Sequence, residues 1–416
     1  MRRANKTATA AALAAWALIG LAGCTGHGQH TGKFKKEAQD RMNNVKAATA
    51  WDMAEQQFLS GDLTKALRTV DESISLNAKV ARSFVLRGRI LIEMGRLEEA
   101  MASLQEAQAL DAESHQAHYY AGIVYERFSR FDKALEAYLA AAEHDATNPQ
   151  YVIAASEMLI DAERLDEAEK LLTENRTTFE HNAGIRQTLG HIAKIRGDED
   201  RAVELFEEAS LLAPDDASIL EDLARAQMRA GRYAEAEVGF RRLSERKEFD
   251  ERRDLELARA QCLVQLDRPV EARELLQAIV SEPEGAADPA VWRELADVAI
   301  TLKDSFRLKE AAQRMMSVAP RRPEGYAYMG LWQREQGKLA EAAKMLERAV
   351  ELAPDDPSPS VLRALVLVEL GRTVEAERVL ERAVARHPAS AEASGLLASI
   401  RSAESGSAVV SVPVGE

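Results

Sequence analysis

The chain holds only two cysteines in 416 residues, Cys24 and Cys262, so no disulfide framework can brace it. Aromatic residues make up just 5% and prolines number 12, and the composition runs instead to Ala, Leu, Glu and Arg, which favours helices over a large β-sheet. Basic charge is also short: 54 Lys and Arg face 68 Asp and Glu, a formal net charge of -14. Phosphate-backbone binding needs a cationic surface that releases counterions, so nucleic acid is not an expected partner. There is no phosphate-cradling glycine loop, nucleophile elbow, Cys-x-x-Cys pair or zinc-type His-Glu-x-x-His. The reading is a protein that is not an enzyme and needs no cofactor. His115 with His118, and His27 with His30, stand three apart without matching further ligands and read as surface histidines rather than a metal site. The acidic pairs Glu98–Glu99, Asp166–Glu167 and Glu207–Glu208 read as the solvated edges of helices.

Long apolar runs are missing as well, apart from one at the start. Arg2, Arg3 and Lys6 precede an apolar stretch from Ala8 to Ala22, which is too short for a comfortable membrane span and has the layout of an export signal. It ends in Leu21-Ala22-Gly23-Cys24, which resembles the lipobox of bacterial lipoproteins. That resemblance implies a signal peptide over 1–23 and a lipid-modified (palmitate-bearing) Cys24 as the new first residue. The alternatives are an ordinary secretory signal or an uncleaved anchor. Several acyl chains on one cysteine would hold the protein to a membrane almost permanently, at about 0.8 kcal/mol per buried methylene. Thr25, rather than Asp, implies by the same resemblance the outer membrane over the inner, with the protein on the periplasmic face of the cell envelope. Residues 24–46 read as the lipidated cysteine and a flexible tether with a short helical lead-in, long enough to reach about 70 Å when extended. The leader removes three basic residues and no acid, leaving 51 basic against 68 acidic residues, or -17. Cys262, beside Ala260, Leu263 and Val264, then reads as a small buried hydrophobe.

From residue 47 the chain repeats. Units of 34 residues begin at Ala47, Ala81, His115, Pro149, Ala183 and Ala217; after a slip of two residues one begins at Arg253, and after another slip the spacing resumes at Pro289, Pro323 and Pro357. The eighth residue is always small: Ala54, Gly88, Gly122, Ser156, Gly190, Ala224, Ala260, Ala296, Gly330 and Ala364. The twentieth is Ala in every unit but the eighth, which has Leu308. Two helices cross closely only where the side chains between them are small, so each unit is expected to be one helical hairpin. Pro214, Pro320, Pro354 and Pro388 stand at the thirty-second position, and Asp62 and Asp198 are placed to cap second helices. Larger residues at the twenty-seventh position, Leu243, Ile279 and Met315, depart from the pattern.

This small-residue, Ala and Pro pattern resembles the tetratricopeptide repeat. The resemblance implies an all-α fold, a right-handed superhelical solenoid of about ten hairpins closed by a C-terminal capping helix. The expected divisions are six units over 47–250, a seventh over 253–288 as a possible bend, three units over 289–390, the capping helix over 391–404 and a disordered tail over 405–416. It also implies that first helices line the concave side, with groove-facing residues at positions two, five, nine, twelve and thirteen. These give Arg82, Arg89, Tyr119, Arg127, His191, Lys194, Arg225 and Arg229 as candidate partner-binding residues, with Glu157 and Asp161 between them. A basic strip on an acidic protein would steer an acidic peptide or tail. The lysine and asparagine clamp for C-terminal carboxylates found in some relatives is not reproduced. The function expected is therefore a lipid-anchored envelope scaffold for protein or peptide partners, in assembly of a pilus, secretion or polysaccharide-export complex. The alternative is a non-catalytic accessory or regulatory subunit of an envelope enzyme complex.

Overall fold

A computed structural model of the chain describes residues 29–249 and 251–404. The signal peptide, Cys24, Thr25, His27 and the tail over 405–416 lie outside the described residues. Among the described residues every regular element is helical and no strand occurs. The helices pair as the repeat spacing predicts: Gln29–Leu59 with Leu63–Leu76, Ala81–Glu93 with Leu97–Leu110, His115–Arg127 with Phe131–His144, and Pro149–Asp161 with Leu165–Asn175. Ala183–Ile195 and Glu199–Leu212 are the helices of the fifth unit, followed by Ala217–Arg229 with Tyr233–Ser244, Arg253–Gln265 with Pro269–Ser281, and Pro289–Thr301 with Ser305–Val318. Glu324–Glu335 with Leu339–Leu352 and Ser358–Glu369 with Thr373–Arg386 complete the ten, and Ala391–Glu404 packs on the last pair. The chain forms two compact bodies, one ending at Ile192 and the other beginning at Ala193, and within each body neighbouring helices pack in sequence order.

Ten turns share one geometry. The fifteenth residue of each unit has positive φ: Gly61, Gly95, Gly197, Gly231, Gly337 and Gly371, but also Ser129, Glu163, Asp267 and Lys303. The sixteenth residue then donates its N–H back to the carbonyl of the eleventh, as in Asp62 to Gln57, Arg164 to Leu159 and Lys338 to Gln333 at 2.8–2.9 Å, the six-to-one bond that ends a helix on a left-handed residue. Four units thus place a side chain where glycine is preferred, so the hairpin packing outweighs a local cost of about 1 kcal/mol. Asp62 and Asp198 do cap second helices, accepting from the N–H of Lys65 and Arg201, and Asp304 does the same for Arg307.

The small eighth residues are all buried, as are all ten twentieth residues. What they face is the twenty-fourth residue. A Cβ added to Gly88 would lie 2.8 Å from the Leu104 side chain, one on Gly122 2.5 Å from the Tyr138 ring, and one on Gly330 2.7 Å from Leu346. The position is large and buried in nine units: Val70, Leu104, Tyr138, Leu172, Phe206, Phe240, Leu276, Leu346 and Leu380. The eighth unit exchanges the two sites, with Leu308 at the twentieth and Ala312 at the twenty-fourth, both buried. Leu308 is therefore no defect, since the missing volume one helical turn later compensates it. Two of the three large twenty-seventh residues, Ile279 and Met315, are compensated too. Gly285 packs against the backbone and side chain of Ile279, and Gly325 against Met315 and Met316, leaving no room for a Cβ at either glycine.

The helical lead-in expected before Ala47 is longer than a short one: from Gln29 the chain continues the first helix outward, because the stretch from Lys33 to Lys46 is rich in Lys, Glu, Ala, Gln, Arg and Met, all good helix formers. The Ser73 hydroxyl donates to the Ala47 carbonyl and Asn77 to the Asn44 side chain, holding the inner end of that extension on the first repeat. The seventh unit lies inside the second body. Its two slips are filled by the 3-10 turn Lys247–Phe249 and the short helix Pro283–Ala286; Arg253 reaches Glu282 and Glu284, and the Trp292 indole donates to the Ala286 carbonyl at 2.8 Å.

Leu308→Ala is expected to cost about 2–5 kcal/mol as an unfilled cavity, and the double variant Leu308→Ala with Ala312→Leu should recover most of it in urea melts. A double variant no more stable than the single one would refute the exchange. Gly122→Ala should destabilise by about 1–3 kcal/mol because the buried Tyr138 ring cannot yield, whereas Gly395→Ala, with open space around it, should stabilise by up to about 1 kcal/mol. The same sign for both, measured calorimetrically, would count against the packing described.

Candidate functional site

Within the first body, the first helices of the first three units touch side by side. Side chains 31 residues apart therefore meet across each helix pair. The Arg82 guanidinium lies 4.5 Å above the Trp51 ring, whose indole N–H donates to the Arg82 carbonyl. Arg89 sits between two rings, 4.9 Å from Phe58 and 5.2 Å from Tyr120. Stacking of this kind fixes an arginine while leaving its N–H groups free at the edge. Among the described residues, neither Arg82 nor Arg89 has a carboxylate within ion-pair distance. Arg127 donates to the Ile92 carbonyl at 3.1 Å, satisfying part of the end of the helix before it.

Tyr119 packs among Tyr120, Tyr138 and Tyr151, with ring centroids 5.1–5.5 Å away. The buried Tyr138 hydroxyl donates to Glu126 at 2.7 Å, and burial, then that bond, push its phenol far above the ordinary range. Glu157 keeps an open face to solvent, yet burial by surrounding atoms raises its carboxyl, with Glu126 and Asp161 adding to the effect and His191 opposing it. The histidines turn to separate partners: His115 bonds the Tyr151 hydroxyl at 2.7 Å, while His118 stacks on His144 and meets the Ala112 carbonyl. Among the described residues no group of three or more His, Cys, Asp or Glu is placed to hold a metal ion.

The second body treats its cations differently. Arg225 pairs with Glu221 at 2.8 Å and Asp254 at 2.7 Å, and Arg252 shares both carboxylates. Arg229 pairs with Glu199 at 2.9 Å, and Arg334 with Glu369. Lys194 is half-buried near the end of its helix. Arg225 and Arg229 are thus paired with carboxylates of the fold, whereas Arg82 and Arg89 stack on rings and Arg127 bonds a main-chain carbonyl. Trp51, Phe58 and Tyr120 complete the face without having been singled out, although Trp51 and Phe58 occupy the fifth and twelfth positions of the first unit. Cys262 is fully buried, and burial pushes its thiol up to about 11, so it is no nucleophile at neutral pH.

Family models described as tetratricopeptide repeat match residues 195–253 and 333–400, and a second such model matches 85–151. These stretches are tetratricopeptide repeats. Proteins built from such repeats bind protein or peptide partners, and no catalytic family is among the matches. A search of the curated proteins finds no match. Among solved structures, a tetratricopeptide repeat protein from Parabacteroides merdae aligns at 13% identity over 78% of this chain and 99% of its own, with a TM-score of 0.38. The pilF protein of Pseudomonas aeruginosa aligns at 17% over 62% and 97%, with a TM-score of 0.39. YrrB, described as having an unusual peptide-binding site, aligns at 19% over 42% and 91%, with a TM-score of 0.34. These likenesses are loose, and nothing about function passes from those proteins to this one.

The ion-pair network in the second body carries a pH signature. Hydrogen bonds from Arg252 hold the Asp254 carboxyl below the usual carboxylate range, and the Arg225 charge adds to them. A depressed folded pKa contributes stability that is present above the unfolded value, about 3.9 for Asp, and is lost as pH falls through the folded value. The stability gap between wild type and Asp254→Asn in urea melts is therefore expected to narrow as pH is lowered below about 4; a gap unchanged between neutral and acid pH would contradict the network.

Proposed function

We propose that the protein is a lipid-anchored scaffold of the bacterial cell envelope that holds protein or peptide partners on the first-helix face of its leading repeats. The observation that carries the reading is the set of arginines stacked on aromatic rings, Arg82 on Trp51 and Arg89 between Phe58 and Tyr120. Arg, Trp and Tyr are the residues that dominate measured binding energies, and here the stacking has already removed part of the entropy that a partner would otherwise have to offset. The anchor rests on Leu21-Ala22-Gly23-Cys24, with outer-membrane placement following from Thr25. Assembly of a pilus, secretion or polysaccharide-export complex is the process this arrangement suits. An accessory subunit of an envelope enzyme complex is the second reading, and the nature of a captured partner separates the two.

The test is affinity capture from envelope extracts with the chain lacking residues 1–24. A variant with Arg82, Arg89 and Arg127 changed to Gln is expected to lose the partner that wild type retains, while one with Arg225 and Arg229 changed to Gln, whose wild-type side chains already pair internally, keeps it. Equal recovery by all three would remove the face as the binding site. In the same cells the full chain with Cys24→Ser is expected in the soluble fraction, and continued membrane association would end the anchor assignment.

A further inference from the structure

The helix Gln29–Leu59 has two apolar sides. Ala47, Ala50 and Ala54 are buried on the first repeat. Turned away from them are Phe34, Met42, Val45 and Met53, exposed by 65, 55, 68 and 51%. At 3.6 residues per turn these four and Ala38 fall within about 100° of arc, forming a stripe about 28 Å long that also carries Thr49 and, near its inner end, the exposed Asp52. The stripe is flanked by Arg41 on one side and by Lys35 and Lys46 on the other. From Lys33 to Lys46 there are five cations, Lys33, Lys35, Lys36, Arg41 and Lys46, against Glu37 and Asp40, in a chain whose net charge is -14. Among the described residues the polar bonds of this segment stay within the helix or at its inner end, as in Gln39 to Asn43, Lys33 to Glu37 and Asn77 to Asn44.

A row of large apolar side chains held out into water is costly unless something covers it, and the cationic border says what kind of surface does. We propose that this stripe lies against an anionic phospholipid surface, with Phe34, Met42, Val45 and Met53 entering the headgroup boundary while Lys35, Arg41 and Lys46 reach the phosphates. Apolar insertion flanked by long cationic stems is the geometry of a helix lying in the interface plane. Local positive charge on an otherwise acidic protein attracts the anionic leaflet by itself. The inference rests in part on the anchor reading: Gln29 follows Cys24 by five residues, about 17 Å of extended chain, so a lipidated Cys24 would deliver the stripe to the bilayer.

The test uses the chain from Thr25, which keeps every described residue and lacks the anchor. Co-sedimentation with vesicles of phosphatidylcholine mixed with phosphatidylglycerol is expected to retain it, and vesicles of phosphatidylcholine alone to retain it less. Phe34→Asp with Val45→Asp should weaken the binding about tenfold with an unchanged melting curve, because both side chains are already in solvent. Lys35→Gln with Lys46→Gln should weaken binding to the anionic vesicles only, and added salt should do likewise. Failure to bind anionic vesicles, or equal binding by the Asp variant, overturns the proposal. So does a dimer in sedimentation equilibrium that the Asp variant dissolves, since the stripe would then cover a second copy. Each of these results stands apart from the anchor, which the Cys24→Ser fractionation reports on its own.

Discussion

The closeness of two helices at one point per repeat governs the rest of this structure. Where the eighth residue is Gly, Ala or Ser, the facing twenty-fourth side chain drops into the space left, and the pair buries its apolar stripe. A close crossing keeps each hairpin thin, and thin hairpins can stack so that first helices touch first helices. Only then do residues 31 apart come into contact, which is how Arg82 reaches Trp51 and Arg89 reaches Phe58. The row of arginines stacked on rings is therefore a consequence of small residues that never appear in it.

The same stacking decides which arginines remain available. Successive units bring the ninth and thirteenth positions of one first helix beside the neighbouring unit, and whether a carboxylate waits there is a matter of one residue. Arg225 meets Asp254 and Arg229 meets Glu199, so their charge is used within the fold. Arg82 and Arg89 meet rings instead, which hold the guanidinium without neutralising it. Exposed pairs such as Arg225–Asp254 contribute modestly to stability, on the order of 1 kcal/mol or less, but they lower the positive potential a partner would sense. An aromatic platform avoids that conflict, because it orders the arginine and leaves its charge outward.

Most of the architecture was legible because the crossing constraint writes itself into sequence as a small residue every 34 positions. The small eighth and twentieth positions, the Asp62 and Asp198 caps, and the buried Cys262 follow from residue type and spacing alone. The exchange of Leu308 and Ala312 was not legible from the twentieth position by itself, since a volume swap between adjacent turns looks like a violation until both sites are known to face one gap. The left-handed residues Ser129, Glu163, Asp267 and Lys303 were hidden for a related reason, as tertiary packing there overrides local preference. The pairing of Arg225 and Arg229 was out of reach because carboxylates about 30 residues away become neighbours only once the units stack. The division of the chain at Ile192 leaves no mark in the repeat spacing.

The full length of the helix before Ala47 escaped a sequence reading for a different reason. Hydrophobic periodicity identifies a helix by one apolar face against one polar face. In Gln29–Leu59 the alanines that meet the repeat and the Phe, Met and Val residues turned away from it lie on opposing sides, so their contributions cancel and the segment resembles a polar linker. The glycines at 26, 28 and 32 and the lysines that follow reinforce that impression. A helix that must satisfy two different environments at once will always look featureless to a test designed for one, and the propensity of its residues is then the better guide.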